Sequence, residues 1–434
     1  MADLLALSAR IIDSGTADEA VNRITQELSE VADGIAVVES FSHSIVFDAG
    51  GSLLVFDASG SATGGRVVDA IRRWSSQPVH TVVYTHGHLD HVGGSPAFVA
   101  DASSRTFARP SFVGHSAVVE RMARYRFTDA WNRLINERQF GWVPNRDLRI
   151  GAGTQSGSGL FGDRFLPDDV AAPDVTYDET LGLKVGELEV ELHHGKGETD
   201  DHTWAWIPSA RAICCGDFLI WNFPNAGNPQ KVQRYPAEWA SSLRAMAALE
   251  PELLLPAHGL PIGGVDRTRS VLLDVAGVLE DLVSTTVAMM NDGASLDEII
   301  HTVRVPEERL ARPYLRPLYD EPEFVVRNIW RQYGGWWDAN PARLKPPPDA
   351  DLAAEVARLA GGSEALVKRA EELAGSGRLD LACQVVEWAA QACPDDPSVH
   401  RARAEIYLHR HRSESSLMAK GIFASAARES ESKA

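Results

Sequence analysis

Three histidines and an aspartate fall within six residues of one short stretch, "YTHGHLDHVGG" (Tyr84–Gly94). The candidates are His86, His88, Asp90 and His91, directly after the apolar run "HTVVY". His86 and His88, two residues apart at a strand end, can point the same way. Asp90 and His91, on the turn beyond, can reach a second point a few ångströms off. Imidazole and carboxylate together suit zinc or a similar first-row ion. Gly87, Gly93 and Gly94 allow the backbone a tight strand–loop–helix turn. The plain structural alternative, four polar groups gathered behind a buried strand with no task, is the weaker account, because burying them without partners is costly.

The elements that must position these groups alternate. From Gly34 to about Gly264, "GIAVVES", "HSIVFD", "SLLVFD" and "HTVVYT" read as strands, with a helix at "GGRVVDAIRRWSS" before the last. One long helical stretch follows, "HSAVVERMARYRFTDAWNRLINERQF", then a Gly/Ser-rich loop, "IGAGTQSGSGLFGD". That loop reads as a flexible connection before a lid, and it lacks the Lys-Ser/Thr end of a phosphate loop. Strands resume at "LKVGELEVELHH", "HTWAWIP", "ARAICCGD" and "PELLLPAH". Two batches of strands with interspersed helices predict an α/β layered domain over residues 1–264. Residues 265–434 read as helical, opening on the long amphipathic "TRSVLLDVAGVLEDLVSTTVAMM" and interrupted by the Pro-rich linker "LKPPPDAD". The closing helices have tetratricopeptide-like spacing, about one and a half repeats, too few to stand without packing on a neighbour or second subunit.

Ligand candidates recur at other strand ends. "LLVFD" ends in Asp57, "CCGD" in Asp217 and "LLLPAHG" in His258. Together with H-x-H-x-D-H, the order resembles the metallo-β-lactamase superfamily. The resemblance implies an αββα sandwich and two Zn²⁺ ions. It assigns His86 and His88 to the first ion, Asp90, His91 and His258 to the second, Asp217 as the bridge, and Asp57 as the group orienting a ligand from behind. Two ions about 3.5–4 Å apart bring a shared water close to ionisation at neutral pH. Asp90 and Asp217 are then the catalytic carboxylates.

One station departs. Where most members carry a histidine, the loop "HHGKGETDDHTWAW" places Glu198, with Asp200, Asp201, His193 and His194 as rival ligands and His202 four residues on. Glutamate at that station is similar to the alkyl sulfatases. "IWRQYGGWWDANPARLKP" resembles the segment that opens their dimerisation domain, and the resemblance runs from Gly34 to Ser430. It implies a homodimer acting on a small anionic ester, an alkyl or related organic sulfate. The sterol-carrier-like domain that ends many of these enzymes is not matched. Substrate-binding candidates are Asn132 and Arg138 in "AWNRLINERQFG", and Lys231 and Arg234 in "NPQKVQRY", each otherwise a solvated charge or polar group. The resemblance places a sulfate-clamping arginine roughly a dozen residues after the bridging carboxylate, and in "GDFLIWNFPNAGNPQKVQR" Asn and Gln hold that place. With Asp217 for the usual glutamate, that leaves open a metallohydrolase of another ester class: lactone, thioester or phosphoester. A non-catalytic scaffold is the third reading, against which the intact ligand set argues.

Charge and composition exclude other classes. Lys and Arg total 42 against 60 Asp and Glu, a formal net charge of −18, so neither nucleic acid nor an anionic membrane is the expected partner. No apolar run is long enough to span a bilayer, and the N-terminus does not read as a signal peptide. Cys214, Cys215, Cys383 and Cys393 form no disulfide pattern and read as core residues of a cytoplasmic protein. The basic "HRHR" ending at Arg412 reads as a solvated helix end.

Overall fold

The computed structural model of the chain describes residues 3–141 and 163–434. The Gly/Ser loop "IGAGTQSGSGLFGD", all but Asp163, lies outside the described residues.

Two sheets face one another. The first runs in sequence order: β1 (Leu28–Ala32), β2 (Ile35–Val38), β3 (Ser44–Asp48), β4 (Leu53–Phe56), β5 (Val79–Val83), β6 (Ser111–His115) and β7 (Val175–Tyr177). β1 to β4 are antiparallel and β4 to β7 parallel. The second holds β8 (Thr180–Val185), β9 (Leu188–His194), β10 (Thr203–Ile207), β11 (Ala212–Gly216), β12 (Leu253–Pro256) and β13 (Ile262–Gly263). Its order is β13-β12-β11-β10-β9-β8, with only β11 and β12 parallel.

Strand alternation sorts the side chains into three apolar layers. Leu54 and Phe56 of β4 meet Ala212, Cys214, Leu253 and Leu255 of the second sheet in the central layer. Leu53 and Val55 point the other way, onto Val67, Val68 and Ile71 of the helix Gly64–Trp74. Ile213 and Cys215 face outward onto Trp239 and Leu243 of the helix Pro236–Ala248 and onto Leu272 and Val275 of the helix Val265–Asn291. This is the expected αββα sandwich. Strands covered on both faces read as continuous apolar runs, and each fully buried Leu, Val or Phe contributes about 1.5–3 kcal/mol. Both pairs of cysteines are free thiols, Cys214 and Cys215 within this core.

The stretch expected as one helix after β6 is two, Ser116–Phe127 and Asp129–Phe140. Thr128 breaks it: its hydroxyl donates to the Arg124 carbonyl and accepts from Asn132 Nδ2 (2.8 and 2.7 Å), a local bond that competes with helix continuity. After the linker, five helices run from Asp349 to Glu431. Small residues Ala370, Ala382 and Ala402, with Val386 and Ile406, form their own core. The last helix, Leu417–Glu431, folds back onto Asp129–Phe140, where a Cβ at Gly421 would overlap the Gln139 carbonyl. Among the described residues, no helix is long and apolar enough to cross a membrane.

Candidate metal centre

Most ligand candidates sit just past the C-terminal end of a strand or in the loop from β9 to β10; Asp90 and His91 lie on the short helix Leu89–Val92 after β5, and His193 and His194 end β9 itself. His86 and His88 follow β5, Asp57 follows β4, Asp217 follows β11, and His258 follows β12. Gly216 makes the turn into Asp217 with a φ of +52°, and a Cβ there would press on Thr85 Cβ at 2.7 Å. Only glycine serves at this position.

Two groups of donors converge: His86, His88 and Asp217, and Asp90, His91 and His258. His86 Nε2 and His88 Nδ1 are 2.8 Å apart. Asp217 Oδ2 lies 3.9 Å from His86 Nε2, while its Oδ1 is 3.5 Å from the Nε2 atoms of both His91 and His258. One carboxylate therefore presents a different oxygen to each group. Asp90 Oδ2 completes the second group, 3.3 Å from His258 and 3.5 Å from His91.

The donor atoms fit divalent cations. His91 Nε2 and Asp217 Oδ1 are buried without a hydrogen-bond partner among the described residues, an expensive state for two polar atoms that face each other. Burial holds His86 and His88 well below the usual imidazole range, hence neutral, as a ligand must be. Burial also opposes a charge on His91 and His258, yet Asp217 and Asp90 outweigh it and raise both rings above the usual imidazole value.

Asp57 works from behind. Its Oδ1 accepts from Thr85 N (2.7 Å), and its Oδ2 from Thr85 Oγ1 (2.8 Å) and His91 Nδ1 (2.7 Å). That bond fixes the His91 tautomer and turns Nε2 toward the centre. Asp57 holds a left-handed backbone, φ 60°, a strain of about 1–3 kcal/mol found where geometry is over-determined by its surroundings.

In the β9–β10 loop, Glu198 is the acid that reaches the first group, Oε1 lying 3.6 Å from His88 Nδ1. The same oxygen accepts from Asn225 Nδ2 (2.5 Å) and sits 3.3 Å from Arg234 Nη2. Burial raises its carboxyl to about 8 against the pull of Arg234. The rivals are committed elsewhere. Asp201 accepts from Arg121 Nε (2.7 Å) and Gly87 N (3.0 Å), and Asp200 also pairs with Arg121. His193 stacks on Trp204 and His194 on His115. His202 stacks on Phe218 and accepts from Asp217 N at 3.2 Å.

Of the substrate-binding candidates, Arg234 is buried beside Glu198. Lys231 donates to Asn136 Oδ1 (2.7 Å), and burial with Arg234 lowers its amine to about 7. Arg138 bonds Gln230 (3.2 Å), and Asn132 spends its amide on Thr128, the residue before its own helix. Sequence reasoning did not find Thr85, Arg121, Asn136, Asn225 or Tyr319. Tyr319 comes from the helical half; burial and the charges of Glu198 and Asp90 push its phenol well above its usual range.

The family model of the metallo-beta-lactamase superfamily matches residues 37–258, just over half of the chain. The chain belongs to the metallo-β-lactamase superfamily. Divalent-metal binding follows from that membership and the two donor groups. A second family model, alkyl sulfatase dimerisation, matches residues 295–433. Among superfamily relatives, a linear primary-alkylsulfatase of Pseudomonas sp. is 25% identical over 370 residues, covering 82% of this chain and 67% of its own. An (R)-specific secondary-alkylsulfatase of Pseudomonas sp. is 27% identical over 345 residues, covering 76% and 50%. The chain thus spans about half to two thirds of these relatives' length. The solved structure of a stereoselective inverting sec-alkylsulfatase from Pseudomonas sp. shares the fold, with a TM-score of 0.82 at 20% identity, over 99% of this chain and 70% of that one.

Proposed function

We propose that this chain is a dinuclear zinc hydrolase that cleaves alkyl or related organic sulfate monoesters. The observation that carries the two-ion reading is Asp217, whose separate oxygens face the two donor groups. His86, His88 and Glu198 would hold the first ion and Asp90, His91 and His258 the second, with Asp217 between them. A bound pair of ions would supply Lewis acidity and an ionised water at neutral pH. Asp90, a quarter exposed, and the deeper Asp217 would be the catalytic carboxylates, holding the ions that supply that chemistry. Arg234 brings positive charge to the Glu198 side, where an anionic ester would be read, and Lys231, its amine lowered to about 7, adds a donor there. Asn132 and Arg138 are the further substrate-binding candidates, Arg138 held through Gln230. The alkylsulfatase relatives support the sulfate ester as the substrate class.

The division at 264/265 puts every ligand in the first part and Tyr319 in the second. We take the helical part as the homodimer contact, supported by the alkyl sulfatase dimerisation match. The four free thiols fit a reducing, cytoplasmic compartment.

The test is sulfate release from a medium-chain alkyl sulfate by zinc-loaded protein, beside Asp90→Ala. Release that vanishes in the variant is the expected result. A protein that binds two ions yet releases no sulfate would move the activity to the second reading, a lactone, thioester or phosphoester. That reading draws on Gln230, which stands near the place where the resemblance expects the clamping arginine and is engaged with Arg138 and the Ile135 carbonyl.

A further inference from the structure

Five consecutive residues running from the β2–β3 connection into the first residue of β3, Ser40 to Ser44, each touch a part of the second donor group or its support. Ser40 Oγ accepts from Ser59 Oγ at 2.8 Å, two residues beyond Asp57. The Phe41 ring meets the His258 ring edge-on, centroids 5.5 Å apart. Ser42 Oγ lies 3.1 Å from His91 Nδ1. Ser44 Oγ donates to the Asp57 carbonyl at 2.7 Å.

His43 makes the most specific contact. Its backbone N–H donates to the Ala257 carbonyl and its ring Nε2 to the Gly259 carbonyl, both at 2.7 Å. The two acceptors flank His258. One buried residue (3% exposed) therefore grips the chain on either side of a ligand candidate without touching its ring nitrogens. From the opposite side Trp221 Nε1 donates to the Leu260 carbonyl at 2.7 Å. Gly259, at φ +92°, leaves room for the indole against its Cα.

We infer that His43 is a positioning residue for the second ion, setting where His258 presents its Nε2, and that Ser40–Ser44 is the floor of that half of the centre. This rests on the two-ion reading above. Nothing in "SFSHS" announces it, because the partners are remote along the chain: His43 and Gly259 stand 216 positions apart.

The experiment compares wild type, His43→Ala and His43→Gln by zinc content and by competition titration against a chromophoric chelator. Melting of the metal-free proteins is recorded alongside. The expected result for His43→Ala is two classes of site, with the weaker ion's affinity down about 10–100-fold and the tighter one unmoved, the scale seen for partners behind a ligand. His43→Gln retains an N–H for the Gly259 carbonyl and is expected to recover most of that loss. Unchanged affinity for both ions in His43→Ala would overturn the inference. So would an equal loss at both ions in both variants, the mark of a general packing role. A wild type that binds fewer than two ions would instead sink the two-ion reading, and this inference with it.

Discussion

Arg121 and Asp201 are both almost fully buried, and neither belongs to the two donor groups. Their ion pair joins the helix Ser116–Phe127 to the loop bearing Glu198, and Asp201 Oδ2 also accepts the N–H of Gly87, between His86 and His88. Burial opposes the Asp201 charge, but Arg121 outweighs it and holds the carboxyl well below its usual range. A depressed carboxyl stabilises the fold above its unfolded pKa, about 4, and that contribution is lost as pH falls toward the folded value. Asp201→Asn would leave Arg121 buried with only the exposed side of its pairing, to Asp200. The expected cost at pH 7 is about 3–5 kcal/mol in urea unfolding, and the gap from wild type should narrow below about pH 4. A gap that stays constant with pH would show that the pair's charge is not what matters.

At the scale of elements, the site depends on a junction. The loop carrying Asn225 is tied to the helical half where Gly227 N donates to Asp320 Oδ2 (2.7 Å), while Asp320 Oδ1 accepts from Glu321 N (2.7 Å). Leu417 N donates to the Leu318 carbonyl and Ser416 Oγ to that of Tyr319, both at 2.9 Å, so the last helix braces the same turn. Burial raises Asp320 to about 7 despite both backbone donors, and burial with Glu414 and Asp320 raises Glu321 to about 7. A raised carboxyl has the opposite sign to Asp201: the fold loses stability as pH climbs from about 4 to about 7, then levels off. Asp320→Asn should flatten much of that decline. In exchange it loses one backbone acceptor, a pH-independent cost of about 1–3 kcal/mol. Melting temperatures of both proteins from pH 4.5 to 8 would check it; parallel curves would refute it.

For the whole molecule, the centre gathers Asp57, Asp90, Asp217 and Glu198 on the seam between two sheets of a chain whose net charge is −18. Divalent cations held there would relieve that repulsion and favour the folded state. An ion present at 100 times its Kd adds about 2.7 kcal/mol. Chelation is expected to lower the melting temperature by several degrees and abolish hydrolysis, and re-added zinc to restore both. Melting indifferent to chelator would count against a metal centre at the seam.

The sequence by itself determined the local parts of this protein: apolar runs long enough for strands, and H-x-H-x-D-H at the end of one of them. It also set the order of Asp57, Asp217 and His258 at later strand ends, since strand period and ligand chemistry are both written over a few residues. The helical half was legible in the same way, from its amphipathic period. Tertiary structure alone decided which acid of "ETDDH" approaches the first group, because Arg121 and Gly87, the latter 114 positions upstream, claim Asp201. It likewise brought His43 to the carbonyls flanking His258 and Asp320 to the loop carrying Asn225. Those pairings join segments remote in sequence through hydrogen bonds and burial, which leave no periodic mark on the chain.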